Sequence, residues 1–155
     1  MNLSEFEKLW NKLGTTEEGA TKCYIIGAIE YVNGNDEGEK MCAMTVPKNR
    51  LNDMGLLGPT EKFRITHMKE DPDTPKSYLG GTPENEYNAY SYDNDLVVLE
   101  KKSKRGEKSS KIFIQSGGKD FPTPVEMRKN KHGYWKLFST GSIATGVKDI
   151  EDDDF

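Results

Sequence analysis

Histidine and cysteine are almost missing from this chain: His67, His132, Cys23 and Cys42 are the entire supply. Zinc sites draw on cysteines and histidines clustered at short spacings, and these four are scattered, so no metal is expected. Both cysteines fall inside helical patterns and read as buried, reduced thiols. Neither histidine has a base, nucleophile or ligand at a motif spacing, so both read as surface or satisfied core residues. A phosphate loop ending in Gly-Lys-Ser/Thr does not occur. Asp93-Asn94-Asp95 lacks the glycine and glutamate of a calcium loop and reads as a turn. Ser116 begins Ser116-Gly117-Gly118-Lys119-Asp120, which has neither a Gly-x-Ser-x-Gly frame nor a neighbouring histidine. No catalytic residue and no cofactor is therefore expected.

Long apolar runs are also missing: none approaches the ~20 residues that cross a bilayer. The opening Met1-Asn2-Leu3-Ser4-Glu5 lacks the basic and apolar stretches of a signal peptide, which gives an expectation of cytoplasmic residence. Positive charge is not in excess either. A net charge of −4 argues against a general nucleic-acid binder.

What is present points to one modest core under a highly solvated exterior, with 34% apolar and 31% charged residues over 155 positions. Aromatic residues, at 10%, are too frequent for a disordered chain. The first half has helical spacing. Ser4 and Glu7 form a capping box ahead of Phe6, Leu9, Trp10 and Leu13, and Gly14 closes that helix. Thr15 and Glu18 repeat the box before a helix reaching about Val32. Its stretch Cys23 to Ile29 is apolar on nearly every face, which predicts a central helix, with Gly27 allowing close approach by a neighbour. Asp36 and Glu39 open a third helix, Leu51, Met54 and Leu57 mark a weaker amphipathic turn, and Gly58-Pro59 opens another helix carrying Phe63, Ile65 and Met68. Asp71 to Pro75 ends the helical half.

From Tyr87 onward the period shortens to two. Leu96–Leu99, Lys111–Gln115, Val125–Arg128 and Tyr134–Phe138 are predicted strands. Their short connections imply an antiparallel meander. The predicted fold class is α+β, with N-terminal helices packed on one face of a four-stranded antiparallel sheet. The predicted organisation is a single domain over residues 1–148 and an acidic tail over 149–155.

Three segments stand out together: Gly80-Gly81-Thr82-Pro83-Glu84-Asn85, then Phe113 to Val125 containing Ser116-Gly117-Gly118-Lys119-Asp120-Phe121-Pro122-Thr123-Pro124, then Trp135 to Ile143. In this order they resemble an uncharacterised bacterial domain family with a G-x-TPEN-like turn and an S-G-G-x-D-x-P-x-P strand connection. The resemblance spans roughly residues 15 to 148 and implies a bacterial or phage origin with no assigned activity. Lys136-Leu137-Phe138 departs from a more aromatic run in that pattern, which weakens any binding face built on those aromatics.

The candidate ligand-binding residues are Glu84, Asn85, Tyr87, Tyr90, Tyr92 and Asp120. Glu84 and Asn85 sit in a shaped loop, where binding residues concentrate, although the same pair serves equally to bond backbone amides of a turn. Tyr90 and Tyr92 share a face of an extended chain and either line a pocket or cover the sheet edge. Asp120 reads as the cap of a rigid, bulged connection. The candidate partner surface is the basic stretch Lys101, Lys102, Lys104, Arg105, Lys108 and Lys111, which with Glu107 carries +5. It opposes the tail residues Asp149, Glu151, Asp152, Asp153 and Asp154, which end in Phe155. Either run reads as a solvated face, or the tail masks the basic stretch until a partner displaces it. The function expected is a non-enzymatic accessory protein that binds a protein partner. The alternatives are a small-ligand or hydrolase-like pocket using Asp120, Glu84, Tyr90 and His67, and a nucleic-acid accessory protein with an acidic recruitment tail.

Overall fold

The computed structural model describes residues 1–150. The predicted tail residues Glu151 to Phe155, including the partner-surface candidate Phe155, lie outside the described residues. Five helices precede four strands: α1 (Leu3–Leu13), α2 (Glu17–Val32), α3 (Gly38–Thr45), α4 (Pro59–Glu70), α5 (Asp73–Lys76), then β1 (Lys104–Arg105), β2 (Ser109–Ile114), β3 (Thr123–Lys129) and β4 (Trp135–Leu137). The strands form one antiparallel meander in the order β1-β2-β3-β4, as the α+β reading requires.

The apolar helix α2 sits at the centre, touching all four other helices as well as β2 and β4. Its residues Cys23 through Ile29 are fully buried. The predicted close approach at Gly27 is made by α3: a Cβ there would lie 2.9 Å from Cys42 Sγ and 3.0 Å from the Cys42 backbone nitrogen. Strand alternation then divides the sheet. Ser110, Ile112, Ile114, Val125, Met127, Trp135 and Leu137 point into the core, and Lys111, Glu126 and Arg128 point away from the helices. Trp10, Tyr24, Ile25, Ile29, Ile112, Ile114, Val125 and Trp135 are all buried in the core between the helices and the sheet.

Several local expectations are corrected. Helix α1 is capped by Asn2, whose side chain accepts from the Glu5 amide, and not by Ser4. Helix α2 is capped one residue later than expected, by Thr16. Gly14 does follow α1, but in a right-handed conformation. It is needed for space, because a Cβ would meet Trp10 and the Tyr134 ring, which stack with centroids 5.5 Å apart. Leu51 to Leu57 is not helical. A 3-10 turn, Lys48–Arg50, leads into a loop closed by a Leu51–Leu57 bridge, with Met54 exposed at its tip. On α4, Phe63 faces solvent and the inward place belongs to Glu61. That buried carboxylate accepts from Thr140 Oγ1 at 2.5 Å and pairs with Arg64 at 3.2 Å, so its charge is matched within the core.

The expected first strand, Leu96–Leu99, is only a bridge of Val98 to Ile114, and the sheet's first strand is Lys104–Arg105. Between the Val98–Ile114 and Lys104–Lys111 pairs the edge chain advances six residues while β2 advances three. The surplus is thrown outward as a bulge. Ser103 repairs the ladder there: its hydroxyl accepts from the Phe113 amide at 3.0 Å and donates to the Leu99 carbonyl at 2.9 Å.

Candidate anion-binding face

Two places gather the polar residues singled out by the sequence. The first is a junction where the three resemblance segments meet. Thr82 caps a 3-10 turn, Pro83–Asn85, in a reciprocal capping box with Asn85, whose amide also donates to the Gly80 carbonyl at 3.0 Å. Gly117 presses on this turn, its own amide bonded to the Ser77 carbonyl at 2.7 Å. Ser116 Oγ donates to Ser77 Oγ at 2.6 Å and accepts from the Gly118 amide. Lys119 then reaches into the 139–146 segment. Its Nζ donates to Tyr78 Oη at 2.6 Å, the Ser142 carbonyl at 2.9 Å, the Ile143 carbonyl at 3.2 Å and Thr145 Oγ1 at 2.8 Å. Burial pulls its pKa down to about 8, while those oxygens solvate the ammonium that remains. The junction is a staple between loops whose donors are already used.

Asp120 does not cap this turn; it pairs with Lys148, and Ser116 and Gln115 make the capping bonds. Tyr87 is buried, with its hydroxyl donating to the Lys148 carbonyl at 2.5 Å. Tyr90 and Tyr92 lie instead at the far end of α2, where Tyr90 accepts from Asn33 at 3.2 Å and Tyr92 donates to Glu30. Glu84 is exposed, and His67 is exposed on α4 against Phe63. Among the described residues, no hydrogen bond or ion pair joins any two of Asp120, Glu84, Tyr90 and His67. The three tyrosine hydroxyls likewise do not share one site, since that of Tyr87 turns to Lys148 and those of Tyr90 and Tyr92 turn to the end of α2.

The second place is the outer face of the sheet. A groove of about 660 Å³ crosses it, floored by β2 and β3. Antiparallel pairing sets Lys104 beside Lys111, Lys111 beside Glu126, and Ser109 beside Arg128. Arg50 reaches the same groove from the 3-10 turn. A second hollow of about 430 Å³ continues it, with largely apolar walls that include Pro47 and Phe138 and a rim carrying Lys48, Lys129 and Lys131. Phe138 lies between them. The Arg128 guanidinium sits 4.5 Å from its ring centroid and that of Arg50 sits 5.9 Å away, so the ring holds two cations in place. Neither arginine is ion-paired among the described residues. The one described carboxylate lining the groove is Glu126.

Sequence reasoning found one side of this face. Lys101, Lys102, Lys104 and Lys108 are exposed at the hairpin, but Arg105 turns to the helix side, where Glu17, Glu18 and Glu100 bind it at 3.2, 2.8 and 2.7 Å. Its charge is spent on holding the hairpin to α2. Arg50, Arg128 and Phe138 were missed, since they are distant in sequence and join only through the sheet. The period-two pattern of β3, which puts Glu126 and Arg128 opposite Val125 and Met127, was the signal available.

The chain belongs to DUF6935, a domain of unknown function, whose profile matches residues 1–151. Membership of an uncharacterised family agrees with the resemblance carried by the three segments. No curated protein and no solved structure matches the chain.

Proposed function

We propose that this DUF6935 domain is a non-enzymatic accessory protein that holds an anionic partner on the outer face of its sheet. The observation that carries the reading is the groove itself: Lys104, Lys111, Arg50 and Arg128 converge on a concavity with one carboxylate, on a chain whose net charge is −4. A single-sign patch of this kind attracts and orients an oppositely charged partner. Guanidiniums fixed over a ring present their donor forks with little entropy left to lose. The dispersal of Asp120, Glu84, Tyr90 and His67 favours binding over a hydrolytic reading, because general acid–base chemistry needs its groups within reach of one reacting atom. Two buried thiols that stay reduced suit a cytoplasmic setting.

The test is retention on an immobilised polyanion such as heparin at low salt. Lys111→Glu and Arg128→Glu should each elute at clearly lower salt than the parent. Lys8→Glu, on the exposed side of α1, reverses the same charge elsewhere and should move elution much less. Equal shifts for all three would mean that net charge, and not this face, governs binding.

A further inference from the structure

We infer that the occupant of this face is an acidic protein segment carrying one bulky apolar side chain, and not a nucleic acid. The inference rests on the reading of the basic face as the working surface and names what it holds. Three features of the face separate the two kinds of polyanion. Single-stranded nucleic acids gain much of their affinity by stacking bases on exposed aromatic rings. Here the rings are taken: Arg128 and Arg50 lie over Phe138, and Lys111 lies 5.5 Å from the centroid of Phe113. A phosphate backbone also carries charge at every step, whereas Glu126 stands beside Lys111 in the groove floor and interrupts the positive track. A peptide avoids that point by placing an uncharged residue there.

The third feature is the adjoining hollow. Its walls are largely apolar, with Pro47 and Phe138 among its lining, and its rim is basic. A phenylalanine, leucine or isoleucine side chain seated there would bury apolar area against Pro47 and the aliphatic parts of the lysines around it. With the apolar side chain seated there, carboxylates on one side of it reach Arg128, Arg50 and Lys111, and those on the other reach Lys48 and Lys131. Charge complementarity and an apolar anchor then act at adjoining points, the usual division between a hot spot and its polar rim.

Fluorescence anisotropy on the full chain tests this with three labelled probes of equal length: an octapeptide of aspartate and glutamate with one central phenylalanine, the same peptide with serine in its place, and oligothymidylate. The phenylalanine peptide should bind most tightly, and its affinity should fall as salt rises. Arg128→Glu should weaken it by at least about tenfold, as reversing one member of a close charge pair does. Lys131→Glu, in an exposed turn where it makes no described side-chain bond, should weaken it in the same direction without risk to the fold. Equal affinity for the two peptides would overturn the apolar seat. Tighter binding of oligothymidylate, lost in the same variants, would overturn the protein partner while leaving the basic face as the working surface. Binding of none of the probes would overturn both.

Discussion

Gly117→Ala tests the stapled junction most sharply. The backbone of Gly117 is not in the left-handed region, so alanine meets no dihedral penalty there; its cost is steric. The added Cβ would sit 2.5 Å from the Gly81 carbonyl oxygen and 2.9 Å from Thr82 Cγ2. The carbonyl belongs to backbone held by the Thr82–Asn85 capping box and cannot rotate aside. One of the two segments has to move, and the Gly117 amide bond to the Ser77 carbonyl, 2.7 Å long, lengthens with it. Overpacking costs about 1–3 kcal/mol and a weakened buried hydrogen bond about 1 more, so roughly 2–4 kcal/mol is expected. In a chain of this size that lowers the melting temperature by about 5–15 °C. The control is Gly133→Ala, where φ is +85° and nothing lies within 4 Å; only the dihedral cost of about 1–2 kcal/mol applies. Urea unfolding of both variants, with unchanged slopes, gives the comparison. A Gly117 variant no less stable than the Gly133 variant would refute the junction as described.

Three further outcomes are expected. Ellman's reagent should leave both thiols untouched in the native protein and titrate two after denaturation, because burial pushes the Cys23 pKa up to about 12 and that of Cys42 higher still; rapid native reaction of either would contradict the packing of α2. Lys119 has a folded pKa of about 8 against the ordinary 10.5, so between these values the native state binds fewer protons than the unfolded chain and stability rises with pH. The stability of the parent relative to Lys119→Met should therefore climb from pH 8 to pH 10.5 in urea titrations, and a falling difference would show that the four oxygen acceptors dominate over burial. Truncation after Lys148 should leave the melting temperature nearly unchanged, since Asp149 and Ile150 are exposed, and should tighten binding of anionic probes at low salt by removing acidic competitors; a drop of several degrees would make that segment part of the fold.

The sequence disclosed the elements that depend on periodicity. The unbroken apolar run of α2 and the alternation of β2 and β3 each have one stable arrangement, and both formed where they were expected. Expectations failed where a side chain does what its type rarely does. Phe63 counts among the apolar residues of α4, yet it faces solvent and Glu61 turns inward to Thr140, a partner 79 residues away that no spacing rule brings to it. Leu96–Leu99 looked like a strand because its residues are branched and apolar, but only Val98 bridges to β2 there and the Ser103 hydroxyl takes the Phe113 amide before pairing resumes at Lys104. The basic face of the sheet was half legible. The lysine run announced one wall, while the other came from Arg50 and Arg128, which are separated by about half of the chain and meet at Phe138 only after the sheet has formed.

The bulge between Val98 and Lys104 has a consequence for how this domain meets other chains. Many sheet proteins recognise peptides, or aggregate with themselves, by adding a strand to a bare edge. Here one edge is broken by the outward loop, where Glu100, Lys101 and Lys102 are exposed and the Phe113 amide is already satisfied by Ser103. At the opposite edge the Trp135 amide is bonded to the Gly14 carbonyl at 2.9 Å, so the turn between α1 and α2 stands where a further strand would dock. Neither side offers an open ladder to an incoming strand. Strand addition is closed to a partner at both edges, and the same closure protects a lysine-rich hairpin from pairing with its own copies.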